Sequence, residues 1–397
     1  MDLRLYFDPL SNSLHEILEQ GKNENTMFQA VALHFQDFPD VTGASIAIIG
    51  LTECRGTSPL NSGVSGAADA VRVAFYSLKQ NKLPYEIVDL GNLINGQDRG
   101  ETLLRIQAVG EYLMQQDILP LFVGGSHDLD FGQYRAYENL NELINVAGVD
   151  ARIDMELPQS TGEVVPADSH LRKILLHEPN YLLHYSHIAY QSFLVDYKYT
   201  QALKRFFFDA HRLGVVDADI RAMEPVLRHA HMLTFDIGAI QSQDAAGSIN
   251  STPFGLSAQQ ACQLCWYAGH NEQLTSAGFY EYNPEVDDEQ MRTAFVIATM
   301  LWYFVEGFYH RRDDLVDIHT HYLKYTVAIE QEDLALGSDR VSFFKSKKTE
   351  KWWMEIPLSS GDGLDRGILV PCSYEDYERT VKGELPDRWM QFYNKQV

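Results

Sequence analysis

Between Ala44 and Tyr309 short apolar runs alternate with amphipathic stretches, and that alternation constrains the fold more than any other feature of the chain. The runs Ala44 to Gly50, Tyr85 to Leu90, Ile118 to Val123, Ile144 to Val149, Tyr181 to Tyr185, His231 to Ile237 and Gly278 to Tyr282 have strand length. Gly66 to Lys79, Glu101 to Gln116, Ser257 to Ala268 and Asp288 to Phe308, lying between them, read as helices. Buried strands separated by helices imply a mostly parallel, doubly wound sheet covered on both faces, a three-layer α/β fold.

Three segments follow from this pattern. Residues 1–42 read as a helical extension, with Leu14, Ile17 and Leu18 at helical spacing. Residues 43–313 form the α/β domain. Residues 314–397 change character: Tyr322 to Ile329 and Arg340 to Phe344 alternate like strands, so a small strand- and loop-rich appendage is expected there.

Bulk properties exclude several classes of function. The net charge of -23, from 55 acidic against 32 basic residues, repels phosphate backbones and anionic lipids, so neither nucleic acid nor a membrane surface is an expected partner. Four scattered cysteines are too few for a disulfide framework and suggest a reducing compartment, hence a cytoplasmic protein. Cys262 and Cys265 share C-x-x-C spacing, but no second pair follows, and they read as buried thiols on one helix face. Met1 to Leu5 lack the basic-then-apolar order of a signal peptide, so no export is expected. The longest apolar run, Ala294 to Val305, is short for a membrane span.

Chemistry-bearing residues gather at one edge of the expected sheet. His127 follows Leu121-Phe122-Val123, Asp150 follows Asn145 to Val149, Asp236 follows Met232 to Phe235, and Glu281 ends Phe279-Tyr280. In open parallel sheets the carboxyl ends of the strands are where ligands bind. Aspartates also cap helices, but Asp150, Asp154 and Asp236 together at one edge beside a histidine suit a metal. Oxygen and imidazole donors without thiolate favour manganese or a similar divalent cation.

The order of these motifs resembles the ureohydrolase family of arginase, agmatinase and formimidoylglutamase. Gly124 to His127, Asp150 to Asp154, Asp236 to Gly238 and Glu281-Tyr282-Asn283-Pro284 leading into Arg292-Thr293-Ala294 carry the likeness, supported by Ile48-Ile49-Gly50 and Asn61-Ser62-Gly63. Asp128 directly after the histidine, with Phe131-Gly132, is most similar to the formimidoylglutamase-like branch. The resemblance implies an arginase-like fold and hydrolysis of C–N bonds in linear amidines by water activated between two divalent ions. It also implies His127, Asp150, Asp154 and Asp236 as the ligands of one ion.

Two positions depart from the family pattern. Arg152 stands where the family has a histidine and Gly238 where it has an aspartate, and both would serve the second ion. One metal at most is therefore expected. Three aspartates, one divalent ion and a guanidinium sum to zero charge, so Arg152 is expected to pair with the aspartates in place of the lost ion.

By the same resemblance Glu281 holds the cationic nitrogen of a substrate, and Asp154 and Glu281 belong to the catalytic group. His170, in Ser169-His170, is a candidate for proton transfer if it faces the crevice, and otherwise a surface histidine at a helix start. Glu156 stands where the formimidoylglutamase-like branch carries a basic residue, which disfavours an anionic substrate and favours a small cationic amidine or guanidine. With one ion, activity is expected to be weak or altered. The opposing expectation is an inactive family member acting as a binding or assembly module. Family members are usually oligomers, so a homo-oligomer is the expected assembly.

Overall fold

The computed structural model describes residues 1–20, 24–140, 142–157, 166–312, 314, 321–329, 340–357 and 367–395. Its main sheet contains β1 (Phe7–Asp8), β2 (Val31–Leu33), β3 (Ile46–Leu51), β4 (Ile87–Leu93), β5 (Leu119–Val123), β6 (Ile144–Val149), β7 (Leu182–Tyr190), β8 (Asp209–Arg212), β9 (Met232–Asp236) and β10 (Ser276–Tyr280). They run in the order β1-β4-β3-β5-β10-β9-β6-β7-β8, with β2 also on β4. Every pairing is parallel except that of β1 with β4.

Strand composition explains the layering. Every residue of β3, β5, β6, β9 and β10 is buried, because helices cover both faces. On one face Val71 and Phe75 of helix Ala67–Ser77 pack with Leu264 of Ala258–Gly269 and with Ile297, Leu301 and Phe304 of Arg292–Tyr309. On the other, Leu103, Ile106, Val109 and Leu113 of Arg99–Met114 pack against Ile49, Val88 and Leu90. Caps fix where these helices begin: Asp98 accepts from the Glu101 N–H, and Ser257 forms a capping box with Gln260. Cys262 and Cys265 lie buried in the apolar layer, as expected, and burial pushes the Cys262 thiol up to about 11.

The first 42 residues are more than helical. Helix Asn12–Gln20 is present, but β1 and β2 flank it and pair with β4 at the edge of the main sheet. Two- and three-residue strands are too short to show alternation. No described helix is long and apolar enough to cross a membrane.

The C-terminal appendage is a separate antiparallel sheet, β11 (Tyr322–Ala328), β12 (Arg340–Ser346), β13 (Trp352–Ile356) and β14 (Ile368–Cys372), ordered β11-β12-β13-β14. It has its own core of Val341, Phe343, Met354, Ile356 and Val370, closed by Trp389 and Phe392 of helix Asp387–Asn394. The loops expected between its strands lie partly outside the described residues. Arg228 of the main domain binds it: the guanidinium donates to the carbonyls of Trp352 (3.1 Å) and Cys372 (3.2 Å) and lies over the Trp353 ring. Lys351 reaches back to the main domain, its Nζ 2.9 Å from His270 Nδ1.

Candidate metal centre

Strands β5, β10, β9 and β6 are consecutive neighbours in the sheet, so His127, Glu281, Asp236 and Asp150 leave adjacent carboxyl ends. After β5 the chain turns through Gly124 (φ +95°) and Gly125 (φ +74°), a conformation other residues adopt at a cost. A Cβ on Gly124 would lie 2.9 Å from the Leu51 carbonyl oxygen, so the close approach also requires glycine. This turn delivers His127 into the crevice, where it is 2% exposed.

The His127 ring is held at one nitrogen and free at the other. Nε2 lies 2.8 Å from Thr234 Oγ1, whereas Nδ1 has no hydrogen-bond partner. That nitrogen faces Asp236 Oδ2 at 3.3 Å and Asp150 Oδ2 at 3.8 Å. Each aspartate uses its other oxygen on the backbone: Asp150 Oδ1 accepts from Arg152 N–H (2.9 Å) and Asp236 Oδ1 from Gly238 N–H (2.6 Å). One oxygen of each is thereby turned inward.

A fourth and a fifth side chain complete the cluster. Asp154 Oδ2 is 3.4 Å from Nε2 of His170, and one donor atom from each of His127, Asp150, Asp154 and His170 falls within 4.8 Å of the others. His170 is thus not a surface residue but a buried one, 3% exposed. It begins helix His170–Leu175, which packs inward through Leu171 and Ile174.

Electrostatics mark the cluster as short of positive charge. Burial, with Asp154 and Asp236 alongside, pushes the Asp150 carboxyl well above the usual range. Burial alone would raise Asp154 too, but His170 outweighs it and holds that carboxyl low. Asp130 and Asp154 in turn push the His170 imidazole well above its ordinary value, against the effect of burial. A divalent cation fits this donor set: one unpartnered imidazole nitrogen, inward carboxylate oxygens, and carboxyls that resist sharing the space as anions.

Arg152 does not pair with the aspartates. Its backbone N–H serves Asp150, but its guanidinium makes no ion pair with Asp150, Asp154 or Asp236 and instead lines a cleft of about 490 Å³ with Asp154, Glu156, Asp168, Asp196 and Lys198. The physical reason is direction, since the strand-end turn that aims the Arg152 N–H at Asp150 sends its side chain toward the cleft. Acids outnumber bases there, and burial with Asp154 and Glu156 nearby pushes Asp168 up to about 6. At Gly238 a Cβ would lie 3.0 Å from Asp236 Oδ1 and 3.1 Å from Asn250 Cβ, so a side chain there requires these neighbours to give way by a few tenths of an ångström.

Glu281 lies just beyond β10 in a left-handed backbone (φ +65°), which costs about 1 kcal/mol or more for a non-glycine residue. Its carboxylate accepts from the His127 N–H (2.8 Å) and from Asn61 Nδ2 (2.6 Å), and burial beside Asp236 pushes it well up. Asn61 is fixed in turn by Asn283 Nδ2 at 2.9 Å. Asp128 turns away from the cluster, accepting from Ser126 Oγ (2.6 Å) and pairing with Arg99.

Two participants escaped the sequence reading. Asp130 is fully buried and places Oδ2 2.7 Å from His170 Nδ1, while Thr234 bridges Asp130 and His127. Neither has a motif of its own. The signal available was an acid three residues after a ligand histidine, a spacing too common to single out.

A parallel α/β sheet with a buried His/Asp group able to hold a metal at its carboxyl edge defines an α/β protein with a candidate metal centre. Residues 44–306 match the sequence model of the Arginase family, and the chain belongs to that family. Its fold is similar to that of Trypanosoma cruzi formiminoglutamase with Mn2+, at 22% identity and a TM-score of 0.61 over 70% of this chain and 100% of that one. It is similar also to formimidoylglutamase from Bacillus subtilis (18%, TM-score 0.63, covering 73% and 94%) and to agmatine ureohydrolase of Thermoplasma volcanium (18%, TM-score 0.58, covering 74% and 97%). No curated protein matches the chain by sequence.

Proposed function

We propose that this protein hydrolyses a C–N bond of a small cationic amidine or guanidine, with one divalent cation held by His127, Asp150, Asp154 and Asp236. The observation that carries the reading is the unpartnered Nδ1 of buried His127 facing Asp150 and Asp236. Manganese suits this donor set. A cation bound there supplies a Lewis acid that makes water a better nucleophile. The second ion of the family pattern has no place beside Arg152 and Gly238, so water is less strongly activated and turnover is weak.

The protein's own groups supply binding and orientation. Glu281, a buried carboxylate with fixed donors, receives the amidinium, whose charge offsets the crowded acids. Asp154 lines both the cluster and the cleft and accepts a hydrogen bond from the attacking water. Water adds to the amidine carbon, the C–N bond breaks, and the amine leaves with the proton that water gave up. Glu156, Asp168 and Asp196 along the cleft favour a substrate carrying a further positive group over one carrying a carboxylate.

A panel of amidines and guanidines assayed with added manganese tests the reading. Turnover that disappears in Asp154→Ala is the expected result. Silence across the panel would favour the second reading, a binding or assembly module, which the crowding around Gly238 supports.

A further inference from the structure

We infer that His170 is itself a ligand of the cation, through Nε2, and that Asp130 sets the tautomers of both imidazoles that face it. This rests on the reading above that the cluster holds a divalent ion.

Hydrogen positions fix the tautomer of His127. Thr234 Oγ1 donates to Asp130 Oδ2 at 3.3 Å, and a hydroxyl has one proton, so the same oxygen must accept from His127 Nε2–H at 2.8 Å. His127 Nδ1 is then a bare lone pair pointing among carboxylates, an arrangement that repels until a cation enters. The opposite nitrogen orientation holds at His170. Its Nδ1 stands 2.7 Å from Asp130 Oδ2, off the ideal hydrogen-bond line but close enough for the carboxylate to favour the proton on that nitrogen, and its Nε2 faces Asp154 Oδ2 at 3.4 Å. The two rings lie with centroids 4.0 Å apart.

Asp130 opens helix Asp130–Arg135, and its Oδ2 lies beside both imidazoles. It is completely buried, its Oδ1 lacks a partner, and it touches one imidazole directly and the other through Thr234. A carboxylate on the far nitrogen of a metal-bound imidazole orients the ring and makes it a stronger donor. Two imidazoles with carboxylates also move the preference from manganese toward borderline ions such as cobalt or zinc. The second histidine thus compensates within one site for donors lost from the other.

X-ray absorption of the full-length protein loaded with Co2+ counts imidazole donors, and equilibrium dialysis gives affinities for Co2+ and Mn2+. Two imidazoles are expected in the wild type and one in His170→Gln, with Co2+ affinity falling more than Mn2+ affinity. Asp130→Asn should keep both imidazoles but weaken Co2+ about 10- to 100-fold. Thermal melts of the metal-free variants identify any that do not fold, and His170→Ala then provides a second removal of the ring. One imidazole in the wild type, with His170→Gln unchanged in affinity, overturns the inference and leaves the metal site standing. Absence of binding in the wild type, with Asp150→Asn no different, overturns the metal site as well.

Discussion

The backbone N–H of Gly238 donates to Asp236 Oδ1 at 2.6 Å, and a Cβ on that glycine would lie 3.0 Å from the same oxygen. This relationship crowds the position at which the family pattern has a further aspartate. Reintroducing the family residues as Arg152→His with Gly238→Asp is therefore expected to leave one ion per chain, because Asn250 and Ser248 occupy the required volume. The melting temperature should also fall, by a few degrees for a strain of about 1–3 kcal/mol. Elemental analysis after manganese loading checks it, and two ions per chain would contradict the crowding argument.

Asp150 illustrates how the empty cluster and the loaded one should differ in stability. Asp150→Asn keeps an oxygen for the Arg152 N–H but removes one of three adjacent buried charges. In chelator the variant should be more stable than the wild type by about 1–3 kcal/mol. With excess manganese the order should reverse, since a ligand at one hundred times its Kd adds about 2.7 kcal/mol to the wild type. Paired denaturation curves with and without metal test both signs.

Glu281→Gln retains the shape that accepts the His127 N–H but loses the negative charge proposed to hold the amidinium. The expected effect is a fall in kcat/KM of about 100-fold, expressed chiefly in KM, with metal affinity nearly unchanged. A variant that loses metal instead would place Glu281 among the ligands.

His231 bears on the acid side of the stability profile. Its Nδ1 accepts the Asn145 N–H at 2.9 Å, and burial pulls the imidazole down to about 4. His184, buried against the C-terminal helix, is lowered by burial to about 4 as well, despite Asp209 at 2.9 Å. Between an ordinary histidine value near 6.5 and 4 the unfolded chain gains protons that the folded chain refuses, so stability falls as pH is lowered through that window. Each group should contribute about 1–3 kcal/mol of loss, visible as a lower urea midpoint at pH 5 than at pH 7.5. His231→Gln should flatten the slope.

How much was legible in the sequence follows from what each feature depends on. Strands β5, β6, β9 and β10 were readable because each is an apolar run buried on both faces, and such runs stand out without knowledge of their neighbours. His127, Asp150, Asp236 and Glu281 were readable because each directly follows one of those runs, so chain position alone puts them at the ligand-binding edge. Strands β1 and β2 were not readable, being too short for any period and dependent on β4 for their pairing.

The sequence by itself determined the family, the main sheet and the strand ends at which the donors emerge, since these rest on local periodicity and near-neighbour order. Only the tertiary structure decided that His170 turns inward to meet Asp130 and Asp154, that the Arg152 side chain lines the cleft without an ion pair to Asp150, Asp154 or Asp236, and that Asn250 crowds Gly238. Those outcomes depend on side-chain direction and on contacts between residues many positions apart, which no spacing along the chain records.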